Sequence, residues 1–265
     1  METGINLYEK LPYQEVISAF VENGIKNTFV GSEHPELRAA MKMLRENGIR
    51  MESFHAPFYG ETNMSDLWYE GEAGEMMLRR LRNSVDMCCE YGVGTLVTHP
   101  STGRPMPPIN ELGTERYREF FSYAWKKGIA VAMENHRFFE NTEYLMKTFP
   151  KLDFCWDVGH EACFTQGIDY LSIWGDRLSV MHISDSECIF DTDKHLIPFD
   201  GKLDFEKIAE KISGLNCNCA LMLELKPGND ERYKNLSTRE YYKLASQRAK
   251  KLADMVDAIA NRSDK

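Results

Sequence analysis

The stretch GIAVAMENHRFFENTEYLMKTFPKLDFCWDVGH, residues 128–160, indicates a strand, a helix and a second strand in succession. Its apolar runs at 129–134 and 153–157 are typical of buried strands, and the segment 142–148 between them has helical spacing. Parallel sheets are built from such strand–helix–strand units. Each of the two runs ends in a carboxylate, Glu134 in the first and Asp157 in the second.

The same alternation continues over the whole chain. Strands are predicted at 4–7, 27–30, 50–55, 94–98, 129–134, 153–157, 178–182 and 220–224. Helices are predicted at 13–23, 36–47, 74–91, 114–127, 142–148, 170–174, 205–213 and 238–260. Eight such units in 265 residues, with no linker-like stretch, predict the α/β class and a (β/α)8 TIM barrel that forms a single domain over residues 1–265. The three longest irregular stretches, 57–67, 100–113 and 184–203, follow strands and should form the active-site face.

Composition narrows the class of protein. The net charge of -9 argues against a chain built mainly to bind nucleic acid. No run of 18 apolar residues and no signal-peptide pattern occurs, so we expect a cytoplasmic protein without a membrane partner. Seven cysteines without a C-x-x-C pair indicate reduced thiols. A homo-oligomer is compatible with the sequence.

Histidines and carboxylates follow the predicted strands. His55, His99 and His182 end or directly follow strands, and His160 and His195 lie in the loops beyond. Carboxylates occupy the same places, at Glu134, Asp157, Asp193 and Glu224. Because all strands of a barrel end at one mouth, these groups should converge there.

Converging carboxylates repel one another unless cations offset their charge. Divalent metal is the economical solution. Mixed imidazole and carboxylate ligation suits zinc, with manganese, iron or cobalt as alternatives, whereas magnesium prefers oxygen ligands.

Further polar residues are candidates for contact with a substrate. His136 shares strand parity with Glu134, and Lys226 shares it with Glu224, so both are expected to face the pocket. There they would contact a substrate hydroxyl or phosphate. Lys194 is a loop cation that would bind phosphate, as would Arg104 and Arg137. His34, directly before Pro35, is expected on the surface.

An ordered set of short motifs resembles the xylose isomerase-like barrel superfamily. The motifs are HAPF at 55–58, THPS at 98–101, MENH at 133–136, WDVGH at 156–160, MHISDS at 181–186, DKH at 193–195 and LELKP at 223–227. The superfamily contains sugar and sugar-phosphate isomerases and epimerases together with AP endonuclease family 2, the endonuclease IV type. The isomerase-type site implies Glu134, Asp157, His182 and Glu224 around one metal, with Glu134 and Glu224 as the catalytic acid and base.

The endonuclease-type site implies more ligands. There His55 and His99 would share Glu134 with a further metal, and His160, Asp193 and His195 would hold a third. One to three ions of zinc or manganese are therefore expected. The chain departs from the endonucleases at Ser101, where they usually have glycine.

The function favoured by the sequence is that of a metal-dependent sugar or sugar-phosphate isomerase or epimerase that moves a proton next to a metal-bound carbonyl. The first alternative is a zinc-dependent AP endonuclease or phosphodiesterase, and only this alternative makes nucleic acid a partner. A keto-polyol dehydratase and a non-catalytic metal-binding protein are further alternatives.

Overall fold

Eight parallel strands form a closed barrel in chain order, with β8 paired to β1. The computed structural model describes residues 1–215 and 218–263. The strands are β1 (Thr3–Ile5), β2 (Asn27–Gly31), β3 (Arg50–His55), β4 (Thr95–Thr98), β5 (Ala130–Glu134), β6 (Asp153–Asp157), β7 (Leu178–Ile183) and β8 (Leu221–Leu223). The predicted TIM barrel is confirmed, and the strand ends agree with the predicted ones to within two residues.

Helices cover the outside of the barrel. They are α1 (Tyr13–Glu22), α2 (Leu37–Glu46), α3 (Glu72–Tyr91), α4 (Glu111–Lys126), α5 (Phe139–Thr148), α6 (Val158–Phe164), α7 (Tyr170–Trp174), α8 (Phe205–Ser213) and α9 (Thr238–Ser263). Of these, α9 packs across α8, α1 and β1, where it buries Leu252 and Val256 and covers the seam between the first and last strands. In the part of the chain that the structure describes, no helix is long and apolar enough to cross a membrane.

The helix α6 was not predicted, because its residues follow β6 without any break. Asp157 starts it: one carboxylate oxygen accepts a hydrogen bond from the backbone N–H of His160 at 2.7 Å. An aspartate three residues before the N–H that it caps is a common helix start.

The prediction that His34 lies on the surface was wrong. His34 is only 5% exposed, and its Nδ1 accepts a hydrogen bond from the backbone N–H of Glu36.

Small apolar side chains fill the barrel directly below its mouth. Val97, Ala132, Cys155 and Val180 form one buried cluster. Each stands two residues before a predicted ligand, namely His99, Glu134, Asp157 and His182 in turn. Because side chains along a strand alternate between two faces, the apolar residue and the ligand two positions later face the same way. The ligands therefore stand on top of this apolar layer.

Met222 completes the interior on the opposite side. A Cβ atom on Gly4 would lie only 2.5 Å from its sulfur atom and 2.6 Å from the carbonyl oxygen of Asn27. Only glycine fits at this position of β1, and its presence lets β1 approach its neighbours closely enough to close the barrel.

Candidate metal centre at the barrel mouth

Nine predicted ligands converge at the carboxyl ends of the strands. They are His55, His99, Glu134, Asp157, His160, His182, Asp193, His195 and Glu224. Their donor atoms make up three of the five groups of potential ligand atoms within 4.8 Å of one another in the described residues, and the other two groups include His136 and Cys155. All nine lie within the described residues and are largely inaccessible to solvent: the most exposed side chain, that of Glu224, is 17% exposed. Their roles as ligands remain predictions.

The first group consists of Glu134, Asp157, His182 and Glu224. The Nδ1 atom of His182 lies 3.0 Å from Oε2 of Glu224 and 3.4 Å from Oε1 of Glu134. None of these three atoms forms a hydrogen bond of acceptable geometry, although all are buried. Ligand atoms about 2.1 Å from a common ion are about 3.0 to 3.4 Å from one another. The spacing and the unsatisfied atoms therefore fit a divalent ion.

The second group uses the other oxygen of the same glutamate. Oε2 of Glu134 lies 3.1 Å from Nε2 of both His55 and His99. The Nδ1 atom of His55 lies 2.7 Å from the backbone carbonyl oxygen of Ala56, to which it donates as Nδ1–H. That hydrogen bond leaves the lone pair on Nε2, which faces Glu134.

The third group lies beside α6. Oδ2 of Asp193 is 2.9 Å from Nε2 of His195 and 3.6 Å from Nε2 of His160. The Nδ1 atom of His160 lies 3.0 Å from the backbone carbonyl oxygen of Asn135, and that of His195 lies 3.1 Å from the backbone carbonyl oxygen of Glu224. In each case Nδ1–H donates to the carbonyl, as is usual for histidines that bind a metal through Nε2.

Buried asparagines hold the ligand-bearing backbones together where the strands diverge. Nδ2 of Asn135 donates to the carbonyl of Asp157 at 2.9 Å, and Oδ1 of Asn135 accepts the N–H of the same residue at 2.8 Å. Asn6 binds Leu225, the neighbour of Glu224, in the same two-point way, at 3.0 and 2.9 Å. Sequence reasoning missed both residues, although Asn135 lies inside the MENH motif.

Gly159 leaves room for the ligands. A Cβ atom at this position would lie 2.8 Å from Oγ of Ser184 and 2.9 Å from Oδ1 of Asp193. The glycine of WDVGH is therefore required by the close passage of these side chains over the first turn of α6.

The electrostatics of the metal-free cluster show how strongly it favours positive charge. Burial raises the pKa of Asp157 to about 7, with the carboxylate of Glu134 adding to the effect and His160 opposing it. Burial alone would lower the pKa of His160, but the charge of Asp157 and the contact with Glu134 raise it to about 10. Protons thus supply the compensating charge that a divalent ion would supply when bound.

A cavity of about 280 Å³ opens beside the first group. Its walls include Glu224, His55, Lys226 and Phe29, so one predicted ligand at the end of β3 and one directly after β8 border it. The ring of Phe29 also stacks on His182, with centroids 4.4 Å apart. This volume is near the lower end of the range for ligand pockets, about 300 to 1,000 Å³, and suits a small molecule.

The three predicted substrate-binding residues differ in position. Lys226 borders the cavity, and its positive charge acts on Asp193 and His195. His136 is buried against the ligands, with its ring stacked on that of His99 at 4.4 Å. Lys194 is not part of the cavity wall as described, and its ammonium group forms an ion pair with Asp230 at 2.9 Å.

Comparison with known proteins places the chain among related barrels. The protein y4fM of Sinorhizobium fredii is 27% identical in a match that covers 86% of this chain and 82% of that protein. The IOLI protein with a bound zinc atom has a TM-score of 0.75 at 16% identity and covers 98% of this chain and 99% of its own. A D-tagatose 3-epimerase-like protein has a TM-score of 0.71 at 16% identity, with both chains fully covered. The family model of the xylose isomerase-like TIM barrel matches residues 11–258, and the chain therefore belongs to that family.

Proposed function

We propose that this protein is a metal-dependent isomerase or epimerase that acts on a sugar or a sugar phosphate. The observation that carries the proposal is the position of Glu224, which belongs to the first ligand group and also borders the cavity. A carboxylate at both places can accept a proton from a molecule bound in the cavity while it remains next to the ion. The fold shared with the D-tagatose 3-epimerase-like protein supports a sugar as the substrate.

The two glutamates of the first group have separate acid-base roles in the proposed reaction. When bound, a divalent ion would polarise a carbonyl and an adjacent hydroxyl oxygen of the substrate. Glu224 takes the proton from the neighbouring carbon, and Glu134, which lies across His182 from Glu224, is the second acid-base group. In the metal-free protein, burial alone would raise the pKa of Glu224, but the charge of His182 lowers it below its ordinary value, so the carboxylate is ionised.

Zinc or manganese is the ion we propose. The first group offers one imidazole and three carboxylates, a set that both metals accept. The zinc atom in the IOLI protein, which shares this fold, supports zinc.

The test is exchange of substrate C–H with solvent. Protein loaded with manganese, cobalt or zinc is incubated in D₂O with ketoses, aldoses and their phosphates, and deuterium incorporation is followed by NMR. We expect one sugar to acquire deuterium, and Glu224→Gln to lower the rate about 100-fold or more, because the amide cannot accept the proton.

A control is Glu46→Gln, which alters an exposed carboxylate on α2 outside the described cavity wall and the three ligand groups. Its exchange rate should stay close to that of the unaltered protein. Exchange that is absent with every sugar, or is unchanged in Glu224→Gln, would refute the proposal.

A phosphodiesterase of the endonuclease IV type is the second candidate. It is favoured by the other two ligand groups, which a one-metal isomerase does not need. Cleavage of a duplex that carries one abasic site, with no sugar undergoing exchange, would make this candidate the better one.

A further inference from the structure

Two arginines from neighbouring loops share one carboxylate at the barrel mouth. Arg104 lies in the loop after β4, and Arg137 lies in the loop after β5. Nε of Arg104 donates to Oδ2 of Asp191 at 3.0 Å, and the guanidinium of Arg137 forms an ion pair with the other oxygen of that carboxylate. Two positive charges thus face the carboxylate of Asp191, and the charge of Asp193 also acts on Arg137.

Arg137 is held next to the third ligand group. Its guanidinium carbon lies 4.1 Å from the ring centroid of Phe164, and that ring stacks on His160 with centroids 5.0 Å apart. The side chain is 24% exposed, so it reaches solvent from a largely enclosed position. Burial and then the charge of Arg104 lower the pKa of Arg137, and the charge of Asp193 opposes them. Its charge also acts on His136, which stacks on His99.

Aromatic rings restrain Arg104 as well. Its guanidinium carbon lies 5.3 Å from the ring centroid of Phe138 and 5.4 Å from that of Phe190. A guanidinium carries five N–H donors, whereas a carboxylate accepts about four hydrogen bonds in all. Asp191 therefore leaves donors on both arginines available to another acceptor.

Asp191 lies in a small hairpin in the loop after β7, where Ile189 pairs with Thr192. The backbone of Asp191 is left-handed, with φ of 62°, and Phe190 beside it is 60% exposed. The carboxylate thus belongs to a protruding turn, two residues before the predicted ligand Asp193, while both arginines come from other loops.

From this arrangement we propose that Arg104 and Arg137 form a subsite at the barrel mouth for the anionic group, a phosphate or a carboxylate, of a substrate that extends beyond the cavity beside Glu224, and that Asp191 occupies the subsite when the substrate is absent. None of these three residues is part of the cavity wall as described. Planar guanidinium groups bind both kinds of anion through paired N–H donors. That this anion belongs to a sugar rests on the function proposed above, whereas the subsite itself does not.

The first test is a calorimetric titration of the metal-loaded protein with inorganic phosphate, which measures the binding affinity. Arg104→Gln and Arg137→Gln should each weaken binding about 10-fold or more, because each removes charge-assisted hydrogen bonds. Asp191→Asn should strengthen binding several-fold, because it removes the competing carboxylate. Arg118→Gln, on the exposed side of α4, is the matched control and should bind phosphate like the unaltered protein.

The direction of the Asp191→Asn effect is decisive. If Asp191 only fastens the loop, its replacement will weaken phosphate binding as the arginine replacements do, and the proposal fails. The proposal also fails if the two arginine variants bind phosphate as Arg118→Gln does, because the anion then binds elsewhere, for instance at the metal.

The second test uses the exchange assay with phosphorylated sugars, sugar acids and their neutral counterparts. Arg137→Gln should raise KM about 10-fold or more for the phosphates if the anion is a phosphate, or for the acids if it is a carboxylate, with kcat little changed. Phosphate binding that depends on the arginines without exchange of any sugar would refute the proposed function and leave the subsite standing. If a sugar undergoes exchange, but the arginine replacements change neither its KM nor the binding of phosphate, the subsite alone is refuted.

Discussion

Replacement of Asn135 by alanine tests how the ligand-bearing strands are held. The variant removes two hydrogen bonds, at 2.9 and 2.8 Å, and leaves the buried N–H and C=O of Asp157 without these partners. The N–H of Asp157 is left unsatisfied, which costs about 1 to 3 kcal/mol. Its carbonyl, at the N-cap of α6, still accepts a hydrogen bond from the first turn of that helix, so the bond lost there costs about 1 kcal/mol. The variant should therefore lower the free energy of unfolding by about 2 to 4 kcal/mol. Urea denaturation of the metal-free protein measures this loss.

The same variant should also weaken metal binding. Asp157 belongs to the first ligand group, and the side chain of Asn135 fixes its backbone, whereas the hydrogen bond from His160 to the backbone carbonyl of Asn135 remains in the variant. Loss of groups that orient ligands typically costs about 10- to 100-fold in metal affinity. Asn141→Ala is the control, because Asn141 is equally buried but makes only one long hydrogen bond, 3.5 Å, to Pro107. Equal losses of stability in the two variants, with unchanged zinc affinity in both, would refute this account of Asn135.

Two further predictions concern the charge and the space at the site. The pKa of His160 is raised to about 10 and that of Asp157 to about 7 when no metal is bound. Zinc must therefore displace a proton from His160 below about pH 10, and a second one from Asp157 below about pH 7. Zinc affinity should then rise steeply between pH 6 and 9 in competition titrations with a chelator, and a constant affinity over that range would contradict the assignment. Gly159→Ala should cost about 1 to 3 kcal/mol of stability and lower the zinc content, because its Cβ would lie within 3 Å of Ser184 and Asp193. Gly94→Ala is the control, since a Cβ there meets open space, and similar stability and zinc content in both variants would show that Gly159 is not needed for the site.

Hydrophobic periodicity sufficed to predict the barrel, because each strand is buried and each helix has one apolar face. Strand order and closure follow from that alternation and from the short connections. The convergence of His55 and Glu224, from β3 and the end of β8, followed from the closed barrel alone. Element starts were harder: α4 begins at Glu111 rather than Thr114, because Asn110 caps it through the N–H of Gly113.

The remaining features depend on contacts between distant loops. The sequence made Arg137 one of three loop cations that would bind phosphate, but its position beside the ligands depends on the packing of Phe164 on His160. Asn135 and Asn6 bind backbone atoms, which carry no sequence signal. The burial of His34 likewise depends on a local turn rather than on a pattern of apolar residues.

The central claim is that Glu134, Asp157, His182 and Glu224 together hold one divalent ion. Anomalous diffraction from a crystal of zinc-loaded protein, recorded on both sides of the zinc absorption edge, tests it most directly. We expect a peak about 2.0 to 2.3 Å from a ligand atom of each of the four residues. A zinc-replete crystal with no peak within coordination distance of these four side chains would contradict the claim.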